Sequence, residues 1–181
     1  EDMAIMRGMP HMLVADPGDN HELRSLMRAA GLTEGPVYFR ITRYTLTDLF
    51  DASYVFAWGR GARLHEGADV TLIGTGMMTA FCLQAAEILA RDHIDADLIA
   101  ASARKTRAVV TAENASVVGG LGSAVAEVLG ERAPATLRRV GVQDRFIESG
   151  GVSELLAQHR MRPEDIAAAA REALEMREAL R

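Results

Sequence analysis

Hydrophobic positions along this chain follow two rhythms, short unbroken apolar runs and longer stretches with an apolar residue every three or four places. The first marks buried strands and the second marks amphipathic helices. Met3 to Arg7 reads as the end of a helix stopped by Gly8 and Pro10. Met12-Leu13-Val14-Ala15 is too short for a helix and is bounded by Asp16-Pro17-Gly18, which predicts a strand. Asp19 or Asn20 caps the next helix, where Leu23, Leu26, Met27 and Ala30 recur at helical spacing before Gly31. Val37 to Ile41, after Gly35-Pro36, is the next strand. Strand, helix and strand within about 30 residues make a βαβ unit with parallel strands.

From Tyr44 to Ala68 the rhythm breaks. Tyr54, Phe56 and Trp58 alternate with other residues, then come Gly59, Gly61 and Arg63-Leu64-His65, a pattern that predicts a linker ending in a hairpin. A binding groove is one use for such aromatics; core or dimer packing at the linker is the reading favoured here.

Strand-helix alternation resumes with a strand at Val70 to Ile73, a Gly74-Thr75-Gly76 turn and a helix from Met77 to about Arg91. Ala80, Leu83, Ala86, Ala90 and their neighbours form the apolar face of that helix. Strands are expected at Ala96 to Ala100, Ala108 to Ala112 and Thr136 to Val142. Between the last two, a helix from Val117 to Leu129 is entered through Gly119-Gly120 and closed at Gly130. Helices near Ser153 to Gln158 and Pro163 to Leu180 follow, Pro163 suiting a first helical turn. The whole predicts an open, mostly parallel α/β sheet.

One connection is too short for that topology. Ala101 to Arg107 supplies seven residues, about 10 Å of helix, where a parallel crossover needs about a dozen or more. Residues are therefore expected to be absent between Ala100 and Ser102.

Composition narrows the class without naming it. With 181 residues and a net charge of −5, the chain has room for a large domain and lacks the basic excess of a nucleic-acid surface. No apolar run approaches the ~20 residues that span a bilayer, and the opening Glu1-Asp2 is not a signal peptide, so a cut N-terminus is expected. Cys82 stands alone inside an apolar helical pattern, which reads as an inert packing residue in a cytoplasmic protein. The five histidines show no metal-ligand spacing. Glu113 at a strand end and the Gly74 and Gly119 turns sit where α/β sheets place functional groups. Helix capping by Glu113 and close packing at the glycines are the simpler readings.

Several motifs, in order, carry a family resemblance. Met9-Pro10-His11-Met12 with Asp16-Pro17-Gly18-Asp19, and Gly35-Pro36-Val37-Tyr38-Phe39-Arg40-Ile41-Thr42-Arg43, resemble the close of the pyrimidine-binding domain of transketolase-type enzymes. Asp69 to Gly76, Val110 to Asn114, Gly119-Gly120-Leu121-Gly122 and Val142 to Gly150 resemble the transketolase C-terminal domain. Ala115 stands where the family has a histidine, and the family's stretch between the matching strand and Ala103-Arg104-Lys105-Thr106 is missing.

The resemblance implies a remnant of a parallel α/β pyrimidine-binding domain over residues 1–48, a linker or hairpin over 49–66, and a three-layer α/β/α domain over 67–181. It implies transfer of two-carbon ketol units between sugar phosphates, with thiamine diphosphate and Mg2+ held mainly by regions outside this chain. It also implies at least a homodimer and, in a split form, a separate N-terminal section. Arg43 matches a family arginine that helps hold the substrate phosphate; the alternative is a surface arginine, or one paired with Asp48 or Asp51. Arg40 is expected to be structural. Deoxyxylulose-phosphate synthase, the β subunit of a 2-oxo-acid dehydrogenase and a non-catalytic dimerisation module are the competing readings.

Overall fold

The structure, a computed structural model, describes residues 2–94, 96–97 and 103–180. Its first unit is α1 (Asp2–Arg7), β1 (Leu13–Ala15), α2 (Asn20–Ala30) and β2 (Val37–Phe39). β1 and β2 pair in parallel, Leu13 opposite Val37 and Ala15 opposite Phe39. Asp19 is the residue that caps α2, its side chain accepting from Glu22 N at 2.7 Å.

The second unit runs β3 (Val70–Gly74), α3 (Met78–Arg91), β4 (Ala96–Asp97), α4 (Ala103–Thr106), β5 (Ala108–Ser116), α5 (Leu121–Arg132), β6 (Thr136–Val142), α6 (Val152–Gln158) and α7 (Pro163–Ala179). Its strands lie in the order β4-β3-β5-β6, every pair parallel. Pleating sends Val70, Leu72, Val110 and Ala112 to one face, against α3 and α7. Val109 faces the other way with Ile73 and Leu137, against Leu129 and Val125 of α5. The expected three-layer α/β/α arrangement results.

Four local expectations need correcting. Residues 44–68 contain no strand, so the hairpin does not form. Side chains of the first unit take that segment's backbone groups instead: Asp19 Oδ2 accepts from Leu49 N at 2.7 Å and Phe50 N at 2.8 Å, and Ser25 Oγ accepts from Phe56 N at 2.8 Å. α5 starts at Leu121, not Val117, because β5 extends to Ser116 through an irregularity after Ala112. It also passes through Gly130, whose surroundings are open. The buried stripe of α3 is Met78, Cys82, Ala85, Ala86 and Leu89, with Ala90 on the exposed side.

β4 and β5 flank β3 on opposite sides. The expected gap between Ala100 and Ser102 lies outside the described residues. Among the described residues no helix is long and apolar enough to cross a membrane.

Candidate functional site

The two units meet where the C-terminal ends of β1, β3 and β5 converge. Gly76 donates its backbone N–H to Asp16 O at 2.9 Å, and the Asp16 carboxylate lies against the same turn. A Cβ on Gly76, which has φ +53, would sit 2.6 Å from Asp16 Oδ2; one on Gly74 would sit 2.8 Å from Thr79 Cα. Only glycine permits that approach. Burial pushes the Asp16 carboxyl up to about 6, against the charge of Arg40 and a hydrogen bond from Thr75.

Glu113, 2% exposed and just past Ala112 where the β5 register becomes irregular, accepts from Leu121 N at 2.7 Å and Gly122 N at 2.8 Å. It therefore caps α5, satisfying two of the amide groups a helix N-terminus leaves open. Burial raises its pKa, while those two amides and the Arg139 charge oppose the rise.

Arg40 is structural, as expected. It forms an ion pair with Asp2 and donates to Asn114 O at 2.6 Å, tying the first unit to β5. Tyr38 OH donates to the same Asp2 carboxylate at 2.6 Å. Burial favours the protonated Asp2, but the bonds from Arg40 and Tyr38 outweigh it and hold the carboxyl at about 2.

The aromatic series packs on α2. Phe50 stacks on Tyr54 with centroids 4.0 Å apart, and Phe56 meets Trp58 edge-on at 4.9 Å. Tyr54 OH donates to Glu22 Oε1 at 3.2 Å and Trp58 Nε1 to Thr33 Oγ1 at 3.0 Å. Phe56 and Trp58 also line a cavity of about 520 Å3 between the units, with Val14, Asp16, Glu113 and Leu121. Asp16 and the cavity were not singled out from the sequence; the one available signal was a carboxylate at a strand's C-terminal end, shared with Glu113.

Arg43 is exposed, makes no hydrogen bond or ion pair among the described residues, and lies outside the lining of that cavity. Its alternative pairing with Asp48 or Asp51 does not form, and Asp51 accepts from Ser53 N at 2.8 Å instead. Among the described residues no cluster of three histidine, cysteine or acidic side chains could hold a metal. Neither glycine turn fits a diphosphate, since the Asp16 carboxylate fills one and the Glu113 carboxylate the other.

A parallel α/β domain, joined through buried carboxylates to a short βαβ unit, is the class that fold and junction define. Residues 59–166 match the family described as Transketolase, C-terminal domain, and the chain belongs to that family. A 6-deoxy-6-sulfo-D-fructose transketolase subunit, SqwH, of Clostridium sp. (strain MSTE9) is 43% identical over 188 residues, covering 97% of this chain and 58% of that protein. A 1-deoxy-D-xylulose-5-phosphate synthase of Symbiobacterium thermophilum is 35% identical over 182 residues, covering 92% of this chain and 28% of that one. A solved split-gene transketolase, described as an inactive beta4 tetramer, superimposes with a TM-score of 0.95 at 40% identity, covering 98% of this chain and 62% of its own. The chain thus spans less than two thirds of these relatives.

Proposed function

We propose that this chain is the C-terminal section of a thiamine-diphosphate-dependent, transketolase-type enzyme that moves two-carbon ketol units between sugar phosphates. The observation that carries the reading is the occupied junction. Asp16 and Glu113 fill the two glycine turns, leaving no room there for a diphosphate, so this chain supplies framework and contacts. Thiamine diphosphate and Mg2+ are then held mainly by regions outside it, on a separate N-terminal section or another part of the polypeptide. When bound, the cofactor acts as the electron sink for carbon–carbon cleavage. The likeness to a split-gene transketolase supports a two-section assembly containing at least two copies of this chain.

Arg43 is the residue proposed to meet substrate. Its guanidinium is exposed and has no partner among the described residues, and a planar fork suits bidentate bonding to the oxygens of a phosphate or sulfonate end group. The lone buried Cys82 supports a reducing, cytoplasmic setting.

The experiment combines the chain with its N-terminal section and assays xylulose 5-phosphate with ribose 5-phosphate, and 6-deoxy-6-sulfofructose as a second donor. Pyruvate with glyceraldehyde phosphate tests the synthase reading, which the 35% identical relative supports. Arg43→Ala is expected to raise KM for the anionic sugar by about tenfold, one charge-assisted hydrogen bond, with kcat little changed. Ketol transfer by neither donor, in an assembly shown to form, would overturn the proposal.

A further inference from the structure

A second cavity of about 490 Å3 lies along β6, the edge strand among the described residues, against the α6–α7 corner, and shares no lining residue with the junction cavity. Its walls carry four arginines, Arg138, Arg139, Arg145 and Arg160, against Asp165 and Glu172. The excess of cations is not the only feature. Among the described residues, three buried side-chain polar atoms have no hydrogen-bond partner: Thr111 Oγ1, Arg138 Nε and His159 Nε2. Two of the three belong to residues lining this one cavity.

A buried polar atom without a partner is costly, and native structures keep few of them. The His159 side chain is 4% exposed, and its Nε2 stands 3.7 Å from Glu148 Oε2, beyond hydrogen-bond reach. Arg138 forms an ion pair with Glu172, Nε to Oε2 3.1 Å, in a geometry that leaves the Nε–H without a hydrogen bond. Arg145 is exposed and makes no hydrogen bond or ion pair among the described residues. Arg160 follows the end of α6 with φ +54, where glycine is the usual residue, and reaches Asp165 only at 3.6 Å. An arginine held in that conformation brings a guanidinium to the cavity wall.

We propose that this cavity is a binding site for a phosphate-bearing small molecule. Oxygens of a phosphoryl group would accept from Arg138 Nε and from the Arg145 and Arg160 guanidiniums, and would meet His159 Nε2 as its missing partner. The cavity is large enough for more than the phosphoryl group alone. This site does not depend on the ketol-transfer reading, although Arg139 on its wall also donates to Val117 O at 3.0 Å on the Glu113 side of the junction.

Calorimetric titration of the full chain at constant ionic strength tests it, with inorganic phosphate in one arm and ADP in the other. Saturable one-to-one binding is expected. ADP binding well above phosphate would identify a nucleotide, and equal affinities a phosphoryl group alone. Arg145→Gln and Arg160→Gln change exposed side chains, so both variants should fold. Each is expected to weaken binding about tenfold, and His159→Gln to do so without changing stoichiometry. Binding unaffected by all three variants would place the anion elsewhere and overturn the proposal. No binding of either probe, with protection of the Arg160 backbone from hydrogen exchange once the partner section is added, would overturn it in favour of a protein contact. No binding without such protection would equally overturn it.

Discussion

The guanidinium of Arg40 donates to the main-chain carbonyl of Asn114 at 2.6 Å, across 74 residues of chain. That bond, on a side chain held in place by the Asp2 ion pair, is one polar clasp between the short βαβ unit and the larger domain, beside those from Gly76 to Asp16 O and from Arg7 to Gly119 O. The unit presents only two strands of three residues each, too little sheet to stand alone in water. Its stability therefore leans on such contacts.

Arg40→Gln is expected to lower stability by about 1–2 kcal/mol, the cost of a charge-assisted hydrogen bond to a partly exposed group. Urea denaturation should show a lower midpoint at unchanged slope. Asp2 adds a pH signature, because its carboxyl is held at about 2 against an ordinary 3.8. Its contribution is fully present above 3.8 and is lost as pH falls toward 2. In Asp2→Asn that part of the acid loss should vanish; an unchanged acid titration of stability would count against the clasp.

Asp16 works in the opposite sense. Its pKa is raised to about 6, chiefly by burial, so the folded state holds the proton more tightly than the unfolded chain. The stabilisation is complete below 3.8 and disappears as pH rises through about 6. Relative to Asp16→Asn, which stays neutral, the wild type should lose stability from pH 4 to pH 6.5 and then level off. A difference that stays flat over that range would refute the assignment.

Gly120 has no room for a side chain. A Cβ there would collide with the Glu113 carboxylate and stand 2.7 Å from Ser116 O. Gly120→Ala should cost about 1–3 kcal/mol through forced backbone shifts, and Glu113→Ala about 1–3 kcal/mol through two unpaired amides at the start of α5. The double variant should cost less than the sum, since both changes break one cap. Thermal melts of the three proteins provide the comparison, and strict additivity would argue that the two act separately.

Cys82 is fully buried in α3, and burial pushes its thiol up to about 12. Native protein at pH 8 should resist alkylation by iodoacetamide, whereas protein in guanidinium should react fully. Rapid native labelling would mean that α3 opens readily.

Local pattern was enough wherever one segment's own residues decide its state. Thr136–Val142 and Pro163–Ala179 follow from β-branched content in one case and a proline-led helical period in the other. The strand-helix alternation likewise implied a parallel sheet before any contact was known. The α3 stripe marks the edge of that reach: the helix is apolar over most of its circumference, so its own period leaves the buried face undecided. Packing against the sheet and α7 decides it, placing Cys82 and Leu89 inward and Ala90 outward.

Everything at the two cavities lies beyond local pattern. The hairpin expected between Tyr54 and His65 does not form, and Ser25, from about 30 positions earlier, takes the backbone N–H of Phe56. Asp16 meets Gly76, Glu113 meets Leu121 and His159 meets the edge of β6 only after the sheet has formed. The sequence by itself determined which segments are strands and helices and that they alternate, because side-chain periodicity acts within a few residues. Which carboxylate is buried and which nitrogen lacks a partner was decided by tertiary structure, because desolvation and hydrogen-bond satisfaction depend on neighbours distant in the chain.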